Sequence, residues 1–452
     1  MKVLKFGGTS VGVAANAEQA LRIVRAAAAT DVVVVVSALS GVTNLLVDAC
    51  RPDSPRAELL ARLLTRHREH ASALGVPAES IEPRLAVLAA EFAGLPAGAA
   101  PSREQRDRLL AHGERLAARI FATALSARGT PARDVFAGDA GLVTDERFGQ
   151  ASPLPEAAGL LAAGLAQRDQ VPVVTGFLGR TRDQRVTTLG RGGSDYSAAL
   201  IGAALGAEVI EIWTDTSGML SADPRVVPEA RPVPRLSFAE ACELAYFGAR
   251  VLHPKTLLPA MERGIPVRIL NTARPDDPGS LITATAGVQP EGWRVRSIAS
   301  KPGITAVTIA STRMLLAHGF LARVFEVFGR HHVVVDLVTT SEVSISVTVD
   351  DTGRLAPALA ELEAIGRVDV RPGLAVVAVV GEGAPTQVGL AGHVFTLLGG
   401  IGVPVEMISQ GASRVNLSFV VAEREAARVV RLLHRGLGLD AEVAASVAST
   451  PS

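Results

Sequence analysis

The sequence predicts an α/β protein with an open, mostly parallel sheet covered by helices on both faces, followed by two small α+β domains. Short β-branched segments alternate with helical stretches over the first 285 residues, which implies crossover connections between buried parallel strands. A composition change and an internal repeat mark the part that follows. The predicted strands of the first part are Val32 to Val36, Val171 to Thr175, Glu208 to Trp213 and Pro266 to Leu270.

Helical spacing with few strand signals characterises residues 53 to 125, which predicts a helical insertion in the first domain. In open α/β sheets, ligands bind beyond the carboxyl ends of the strands. The glycine-bearing motifs described below each follow a predicted strand or its hairpin. We therefore expect them to converge on one edge of the sheet.

The end of the first domain is marked by a stretch rich in glycine, proline and threonine, from residue 272 to 294. Beyond it, Val324-Phe325 precedes Val335-Asp336 as Val394-Phe395 precedes Val405-Glu406, at a constant offset of 70 residues. Each copy predicts strand, helix, strand, strand, helix, strand. The predicted domains are 1–285 and, after a linker at 286–300, the two repeats 301–380 and 381–452.

The composition excludes several classes of protein. The formal net charge is 0, with 45 basic and 45 acidic residues and no basic run, which argues against a nucleic-acid partner. The apolar runs are shorter than the roughly 20 residues of a membrane helix, and a strand begins too early for a signal peptide. Cys50 and Cys242 form no disulfide framework or metal motif. We expect a cytoplasmic protein with no membrane partner.

The most informative segment is Thr187 to Asp195, where three glycines, an arginine, hydroxyls and a carboxylate fall within nine residues. It directly precedes a helical run from Tyr196 to Leu205. Glycine permits close backbone approach, the helix N-terminus presents free N–H groups, and Arg191 adds a bidentate donor. The segment therefore predicts an anion site. A plain glycine-rich turn remains the alternative, although such a turn requires none of the charges.

A second segment of this kind, Lys5 to Gly12, follows the strand-like start of the chain. A strand, a glycine turn with a lysine and a helix N-terminus with hydroxyls are the parts that hold phosphoryl oxygens. It is not a Walker A loop, because Lys5 precedes the glycines. It also lacks the Gly-x-Gly-x-x-Gly pattern, which disfavours a dinucleotide fold.

These two segments together resemble the aspartate kinases (aspartokinases), members of the amino-acid kinase superfamily. Further matches occur in the expected order along nearly the whole chain: Val36 to Asn44, His112 to Glu114, Trp213 to Asp215, Ala222 to Arg225 and Phe247 to Pro254. The resemblance implies an amino-acid-kinase-like first domain and identifies the repeats as tandem ferredoxin-like ACT domains, which bind free amino acids. Two domains kept only for dimer packing remain the alternative for the repeats.

The implied activity is ATP-dependent phosphorylation of the side-chain carboxylate of L-aspartate to 4-phospho-L-aspartate, the first step of aspartate-family amino-acid synthesis. Because a carboxylate is already ionised at pH 7, the reaction needs no general base. The sequence leaves open whether the product serves lysine, threonine, methionine or ectoine synthesis. The resemblance assigns catalysis to Lys5, Asp195 and Arg191, substrate binding to Thr43, Glu114, Arg191 and Ser194, and ATP binding to Lys5, Gly7, Gly8, Ser37, Thr214, Asp215, Leu220, Arg225, Arg250 and Val251.

Two nucleotide positions depart from the family pattern. Leu220 stands where members often have tyrosine, and Arg250 where lysine is common. Leucine can pack on a purine but cannot donate a hydrogen bond. Mg²⁺ is expected to bridge the ATP phosphates with few direct protein ligands, so no metal-binding residue is assigned.

The first repeat resembles the lysine site of lysine-sensitive aspartokinases. Asp336 and Glu342 would complement a dibasic ligand, and N–H groups near Gly319 would receive its carboxylate. Ala317 and Val334 replace frequent serines, so feedback could be weakened, retuned to threonine or lost. A homodimer, or a dimer of dimers, through the ACT domains is implied. The allosteric lysine residues are Met314, Gly319, Phe320, Leu321, Val335, Asp336, Ser341 and Glu342.

Three alternatives belong to other functional classes. A bifunctional aspartokinase and homoserine dehydrogenase is disfavoured, because no dinucleotide domain follows the repeats before Ser452. A kinase for glutamate or a nucleotide would share the glycine turn but would not predict Arg191-Gly-Gly-Ser-Asp joined to ACT repeats. A lysine sensor with an inactive kinase domain is disfavoured by the presence of Lys5, Glu114 and Asp195.

Overall fold

The structure is a computed structural model that describes residues 1–167, 169–247, 252, 254–287, 292–311, 318–410 and 414–440. Its contacts divide the chain into two compact units. The first unit comprises residues 1–219, 234–238 and the described part of 250–286. The second comprises residues 220–233, the described part of 239–249, and the described residues from 287 onward.

The first unit is built on an eight-stranded sheet. Its strands are β1 (Lys2–Phe6), β2 (Val32–Val36), β3 (Ala132–Val135), β4 (Val171–Thr175), β7 (Val209–Thr214), β8 (Arg235–Ser237), β9 (Val267–Asn271) and β10 (Ser280–Thr283), and a separate hairpin pairs β5 (Leu178–Arg180) with β6 (Val186–Thr188). The sheet order is β3-β4-β2-β1-β7-β9-β10-β8, and all neighbours are parallel except β9 with β10. The predicted α/β class is confirmed.

Helices connect these strands, and the predicted helical insertion is present. All five valines of β2 are buried, so the sheet must be covered on both faces. The longest of the described helices, Arg103–Ala127, has Ser102 as its N-cap, and the side chains of Ser102 and Gln105 form a capping box. The helices are α1 (Gly8–Gly12), α2 (Ala14–Ala27), α3 (Val42–Ala49), α4 (Arg56–Ala73), α5 (Glu82–Ala93), α6 (Arg103–Ala127), α7 (Ala157–Gly164), α8 (Gly193–Leu205), α9 (Phe238–Phe247), which enters the second unit, and α10 (Pro254–Glu262).

The second unit is built on a six-stranded antiparallel sheet. Its strands are β11 (Ser297–Ala310), β12 (Val338–Thr340), β13 (Ser344–Val349), β14 (Arg367–Val380), β15 (Met407–Ser409) and β16 (Asn416–Ala422), in the order β12-β13-β11-β14-β16-β15. The helices are α11 (Phe320–Arg330), α12 (Leu355–Leu362), α13 (Leu390–Gly400) and α14 (Glu423–Gly436). Helix, strand, strand and helix recur in the two repeats, as their sequence offset predicts.

The long strand β11 is shared by the two repeats. Residues 304–310 lie between β13 and the first part of β14, whereas residues 297–301 pair with residues 376–380, the part of β14 that also pairs with β16. A register shift between Lys301 and Ile304 separates the two halves, with Gly303 in the left-handed region at φ 75°. Residues 297–300, predicted as the end of a linker, therefore form the fourth strand of the second repeat. The other predicted domain boundaries stay predictions.

Candidate active site

The glycine turn after β1 lies directly against the segment after β2. The Ser37 N–H donates to Phe6 O at 3.1 Å, and the Ser40 N–H donates to Gly8 O at 3.0 Å. A Cβ atom on Gly8 would lie 2.9 Å from Ala38 O, and one on Gly12 would lie 2.4 Å from Ser40 N. Only glycine allows this approach, because real Cβ atoms do not come so close to backbone atoms. The two turns thus pack into one backbone cradle.

Lys5 and Asp195 form a nearly buried ion pair at this cradle. The Lys5 Nζ atom lies 2.5 Å from Asp195 Oδ1, and the side chains are 9% and 12% exposed. A Cβ atom on Gly7 would lie 3.7 Å from Lys5 Nζ, so the ammonium group lies over the start of the glycine turn. The pair joins the first motif to the second across 190 positions of sequence, as the resemblance implies.

The second motif is a glycine turn held against the end of β4. Gly190 and Gly192 have φ of 79° and 70°, and Phe177, a non-glycine residue, has φ of 66°. A Cβ atom on Gly176 would lie 2.7 Å from Ser194 Oγ. Ser194 is thereby placed at the N-terminus of α8. The Arg191 side chain is exposed and forms no hydrogen bond or ion pair with the part of the chain that the structure describes.

The Asp107 side chain holds this turn in place by hydrogen bonds, and no sequence motif identified Asp107. Its fully buried carboxylate accepts hydrogen bonds from the Gly149 N–H at 2.9 Å, the Thr188 N–H at 2.8 Å and the Thr188 hydroxyl at 2.9 Å. Burial raises the pKa of Asp107, and these three donors lower it. The sequence does contain a signal for this role. Asp107 lies on the apolar face of a long helix, where a charged side chain needs hydrogen-bond or ion-pair partners.

Glu114 is a buried carboxyl group with one free oxygen. Its side chain is on α6, its Oε1 accepts the Ala38 N–H at 3.1 Å, and its Oε2 has no hydrogen-bond partner among the described residues. Burial raises the pKa of Glu114 to about 8, while the Ala38 N–H lowers it. Such a carboxylate would gain most from a cationic ligand. Thr43 is half-buried at the start of α3, beyond the left-handed Gly41.

The residues assigned to ATP divide between the two units. Thr214 ends β7 in the first unit and Asp215 follows it, and the Thr214 hydroxyl donates to Asp215 Oδ1 at 3.2 Å. Leu220 and Arg225 belong to the second unit, and the Arg225 guanidinium is bound to Asp223, 2.5 Å away. Arg250 and Val251 lie outside the described residues. Their assignment to the nucleotide stays a prediction.

The effector residue Asp336 is already paired within the second unit. Its carboxylate, 1% exposed, lies 3.0 Å from Lys301 Nζ and accepts a hydrogen bond from the Tyr246 hydroxyl. Lys301 also lies 2.8 Å from Asp350 Oδ2. Burial, and to a lesser extent Asp350, raises the pKa of Asp336 to about 7. In this structure the cation that Asp336 holds is a side chain of its own chain.

The other effector residues surround the start of α11 and the β12–β13 turn. Gly319 caps α11 in the left-handed conformation, Phe320 is buried and Leu321 is exposed. Val335 is partly buried, the Ser341 hydroxyl hydrogen-bonds with Ser344, and Glu342 is exposed. Met314 and Ala317 lie outside the described residues, and Val334 is 66% exposed.

The geometry of the first unit is that of a phosphoryl-transfer site: a backbone cradle, a buried lysine held by a carboxylate, and a positioned helix N-terminus. Among the described residues, no group of three His, Cys, Asp or Glu side chains is placed to hold a metal ion. Over the same residues, no helix is both long and apolar enough to cross a membrane.

Comparison with known proteins gives the class and then the family. Residues 1–271 match the amino acid kinase family, and residues 377–437 match the ACT domain. Lysine-sensitive aspartokinase 3 of Escherichia coli (strain K12) is 38% identical over 454 residues, covering 96% of this chain and 98% of that protein. Aspartokinase 1, chloroplastic, of Arabidopsis thaliana is also 38% identical, over 96% of this chain and 79% of that protein.

Solved structures agree. E. coli aspartokinase III in complex with aspartate and ADP, an R-state, matches with a TM-score of 0.85 at 37% identity, over 97% of this chain and 99% of that one. The same enzyme with lysine and aspartate, a T-state, matches with a TM-score of 0.77 over the same shares of the two chains. The chain belongs to the aspartokinase family.

Proposed function

We propose that the protein catalyses ATP-dependent phosphorylation of the side-chain carboxylate of L-aspartate, giving 4-phospho-L-aspartate. The Lys5–Asp195 ion pair carries this proposal, because it places a cation at the glycine cradle and beside the N-terminus of α8. The aspartokinase relatives, one of them solved with aspartate and ADP, support it.

In this proposal, the protein acts by position and charge. The Lys5 ammonium and the Gly8 N–H would hold phosphate oxygens as negative charge develops during transfer. The N–H groups of Gly7 and Ser37, which the resemblance assigns to ATP, already donate to Trp213 O and Phe6 O. Asp195 keeps Lys5 oriented. The acceptor carboxylate is ionised at neutral pH, so no side chain has to remove a proton.

Two charged side chains would hold the substrate. Arg191 has no partner among the described residues, and it can pair with a substrate carboxylate through two parallel hydrogen bonds. Glu114 would receive the α-ammonium group on its unpartnered Oε2. Thr43 and Ser194 would donate hydrogen bonds to the substrate from their hydroxyl groups.

Mg²⁺ would enter on the nucleotide, held mainly by phosphate oxygens and water, as is usual for this strongly hydrated ion. The Asp195 carboxylate, at the glycine cradle, is chemically suited to face it. When bound, the ion would neutralise charge on the phosphates.

Lysine would act as an inhibitor through the first ACT repeat. The support is the buried carboxylate of Asp336, which holds one ammonium group already, together with the complex of the E. coli relative with lysine and aspartate. A lysine that displaces Lys301 would shift an equilibrium between two states by its differential affinity for them. A cytoplasmic homodimer through the ACT sheets completes the proposal.

The activity test is ADP release from Mg·ATP with L-aspartate as acceptor. Lys5→Met should lower kcat by about 100-fold or more, because a donor to the transferring group is lost. Lys2→Met is the matched control, since Lys2 lies at the start of the same strand, is 39% exposed and pairs with Glu211 instead of Asp195. Equal turnover by the wild type and Lys5→Met would reject the catalytic assignment.

The regulatory test is the same assay with added L-lysine. Asp336→Ala with Glu342→Ala should abolish inhibition, whereas Asp350→Asn, which removes the other carboxylate on Lys301, should retain it. Full inhibition of the double variant would reject the site. A folded wild type without aspartate-dependent turnover that still binds lysine would favour the sensor alternative.

A further inference from the structure

A cavity of about 250 Å³ lies at the carboxyl end of β3, among residues of the first unit that the proposed reaction does not use. Its lining includes Arg84 of α5 and Arg115 of α6, with Asp134, Phe136, Asp139 and Thr175. A space of this size holds a small oxyanion with several waters, since each water occupies roughly 30 Å³ in the liquid.

Arg115 is a cation without a counterion. Its guanidinium lies over the Phe136 ring, 4.2 Å from the centroid, and it forms no ion pair with the part of the chain described here. Its Nε is a buried donor without a hydrogen-bond partner there. Burial and the nearby charge of Arg84 lower the pKa of Arg115. Removing a charge from water without pairing it is costly, so the site favours an anion.

The surrounding charges do not neutralise this cation. Asp134 is shared by Arg84 at 2.5 Å and Arg119 at 3.1 Å, and Asp139 lies 2.9 Å from Arg180.

Two acidic groups, Asp139 and Glu91, act electrostatically on Arg115 and raise its pKa, against the larger effect of burial. Glu91 lies within electrostatic reach of Arg115 but pairs with Arg108 at 3.2 Å, so the Glu91–Arg108 pair does not change the net charge around the cavity. Arg84 and Arg115 line the cavity with Asp134 and Asp139, and these aspartates also pair with Arg119 and Arg180 outside the lining. The four arginines and two aspartates of this cluster carry an excess of two positive charges.

We propose that this cavity binds a small phosphate-type dianion at a site separate from the nucleotide cradle. The free edges of the Arg84 and Arg115 guanidinium groups suit the oxygens of such an ion. The Thr175 oxygen accepts the Ala137 N–H, which leaves its O–H free to donate.

Two lining residues are chain neighbours of residues in or beside the proposed substrate site. Arg115 follows Glu114 on α6, and Thr175 precedes Gly176, which packs on Ser194. Binding does not depend on turnover, so this proposal can fail while the kinase activity stands, and the reverse.

The test is calorimetric titration of inorganic phosphate into the full chain, at constant ionic strength and with saturating Mg·ADP and aspartate to occupy the nucleotide cradle. We expect saturable binding at one site. Arg115→Met should weaken it at least about tenfold, the loss of one charge-assisted contact. Arg182→Met is the control, because Arg182 forms a surface ion pair with Glu156 away from the cavity.

Absence of saturable phosphate binding would overturn the proposal, as would equal weakening by Arg182→Met. Arg84→Met is a second variant in case Arg115→Met fails to fold, since Arg119 continues to hold Asp134. A parallel titration with succinate tests the kind of anion. Binding of succinate without phosphate would also overturn the proposal, by assigning the cavity to a dicarboxylate.

Discussion

The carboxyl group of Glu114 combines complete burial with a single N–H donor, so its two protonation states differ strongly in their fit to the protein. Burial favours the neutral form, and a cationic ligand would favour the ionised form. Binding of a cationic ligand and proton release at this residue would therefore be linked.

We predict that kcat/KM for aspartate rises with pH up to about 8 and then levels. Only the ionised Glu114 attracts an ammonium group, and burial raises the pKa of the free enzyme's Glu114 to about 8. Glu114→Gln should lower kcat/KM at pH 8 and remove this rise. Steady-state kinetics between pH 6 and pH 9 checks both, and an unchanged profile in the variant would contradict the role.

The same group affects stability with a definite sign. Its pKa is raised on folding, so its ionisation opposes the folded state as pH rises above the unfolded value. Glu114→Gln should therefore raise the melting temperature of the ligand-free protein at pH 8, where the wild-type group ionises. Below pH 4, where Glu114 is protonated in both states, the two proteins should melt alike.

Single-residue roles were predictable where a motif gave them a context. Lys5 and Asp195 each belong to a glycine-rich segment, and the structure brings them together. Asp107, near the start of α6, and Arg115, at its middle, belong to no motif. Their importance depends on the folded chain. Folding gives the Asp107 carboxylate three hydrogen-bond donors and leaves the Arg115 Nε without a partner among the described residues.

At the scale of elements, we predict that Asp107→Asn lowers kcat/KM about tenfold or more while the protein stays folded. An amide cannot accept from three donors as the carboxylate does, so the turn carrying Arg191 would shift. Stability should fall by about 1–3 kcal/mol. Asp48→Asn, which breaks only a surface pair with Arg51, should change neither quantity appreciably in kinetics and urea unfolding.

We also predict that Gly12→Ala destabilises the protein by about 1–3 kcal/mol, because the added Cβ would lie 2.4 Å from Ser40 N and must push the cradle apart. Gly159→Ala on α7 is the matched control. It meets no atom within 4 Å, so it should raise stability by up to about 1 kcal/mol. Thermal unfolding compares the two variants. Similar melting temperatures would contradict the prediction, because they would mean that the backbone at Ser40 moves aside at little cost.

Most elements of the first unit were predictable, because buried valine-rich strands and long helices have distinct periods. β2 and β4 lie where the sequence placed them. The start of β11 was not predictable: Ser297 to Ser300 follow a glycine- and proline-rich stretch, and their short pattern does not reveal a partner near residue 378.

At the scale of the whole molecule, the shared strand predicts that two similar substitutions increase hydrogen exchange in different parts of the second unit. Ile298 packs in the core of the second repeat, and Ile309, on the same strand, packs in the core of the first. Ile298→Ala should increase hydrogen exchange in β16 and α14, whereas Ile309→Ala should increase it in β13 and α11. Each should cost about 2–5 kcal/mol locally.

Mass-spectrometric hydrogen exchange of the full chain checks this prediction. The same pattern of exchange in both variants would mean that the six-stranded sheet opens as one body, without a boundary at Gly303. The offset of 70 residues predicted two repeats, but it is identical whether each repeat is self-contained or takes a strand from the other, which is why the sharing could not be predicted.

The shared strand also affects how the chain matures on the ribosome. The first half of β11 leaves the exit tunnel well before residues 376–380, its neighbours in the sheet, have been made. Until then it exposes unsatisfied backbone groups, the kind of edge that invites pairing with other chains. A nascent chain stalled between residues 301 and 376 would therefore be the aggregation-prone species, and the stage at which a chaperone is most needed.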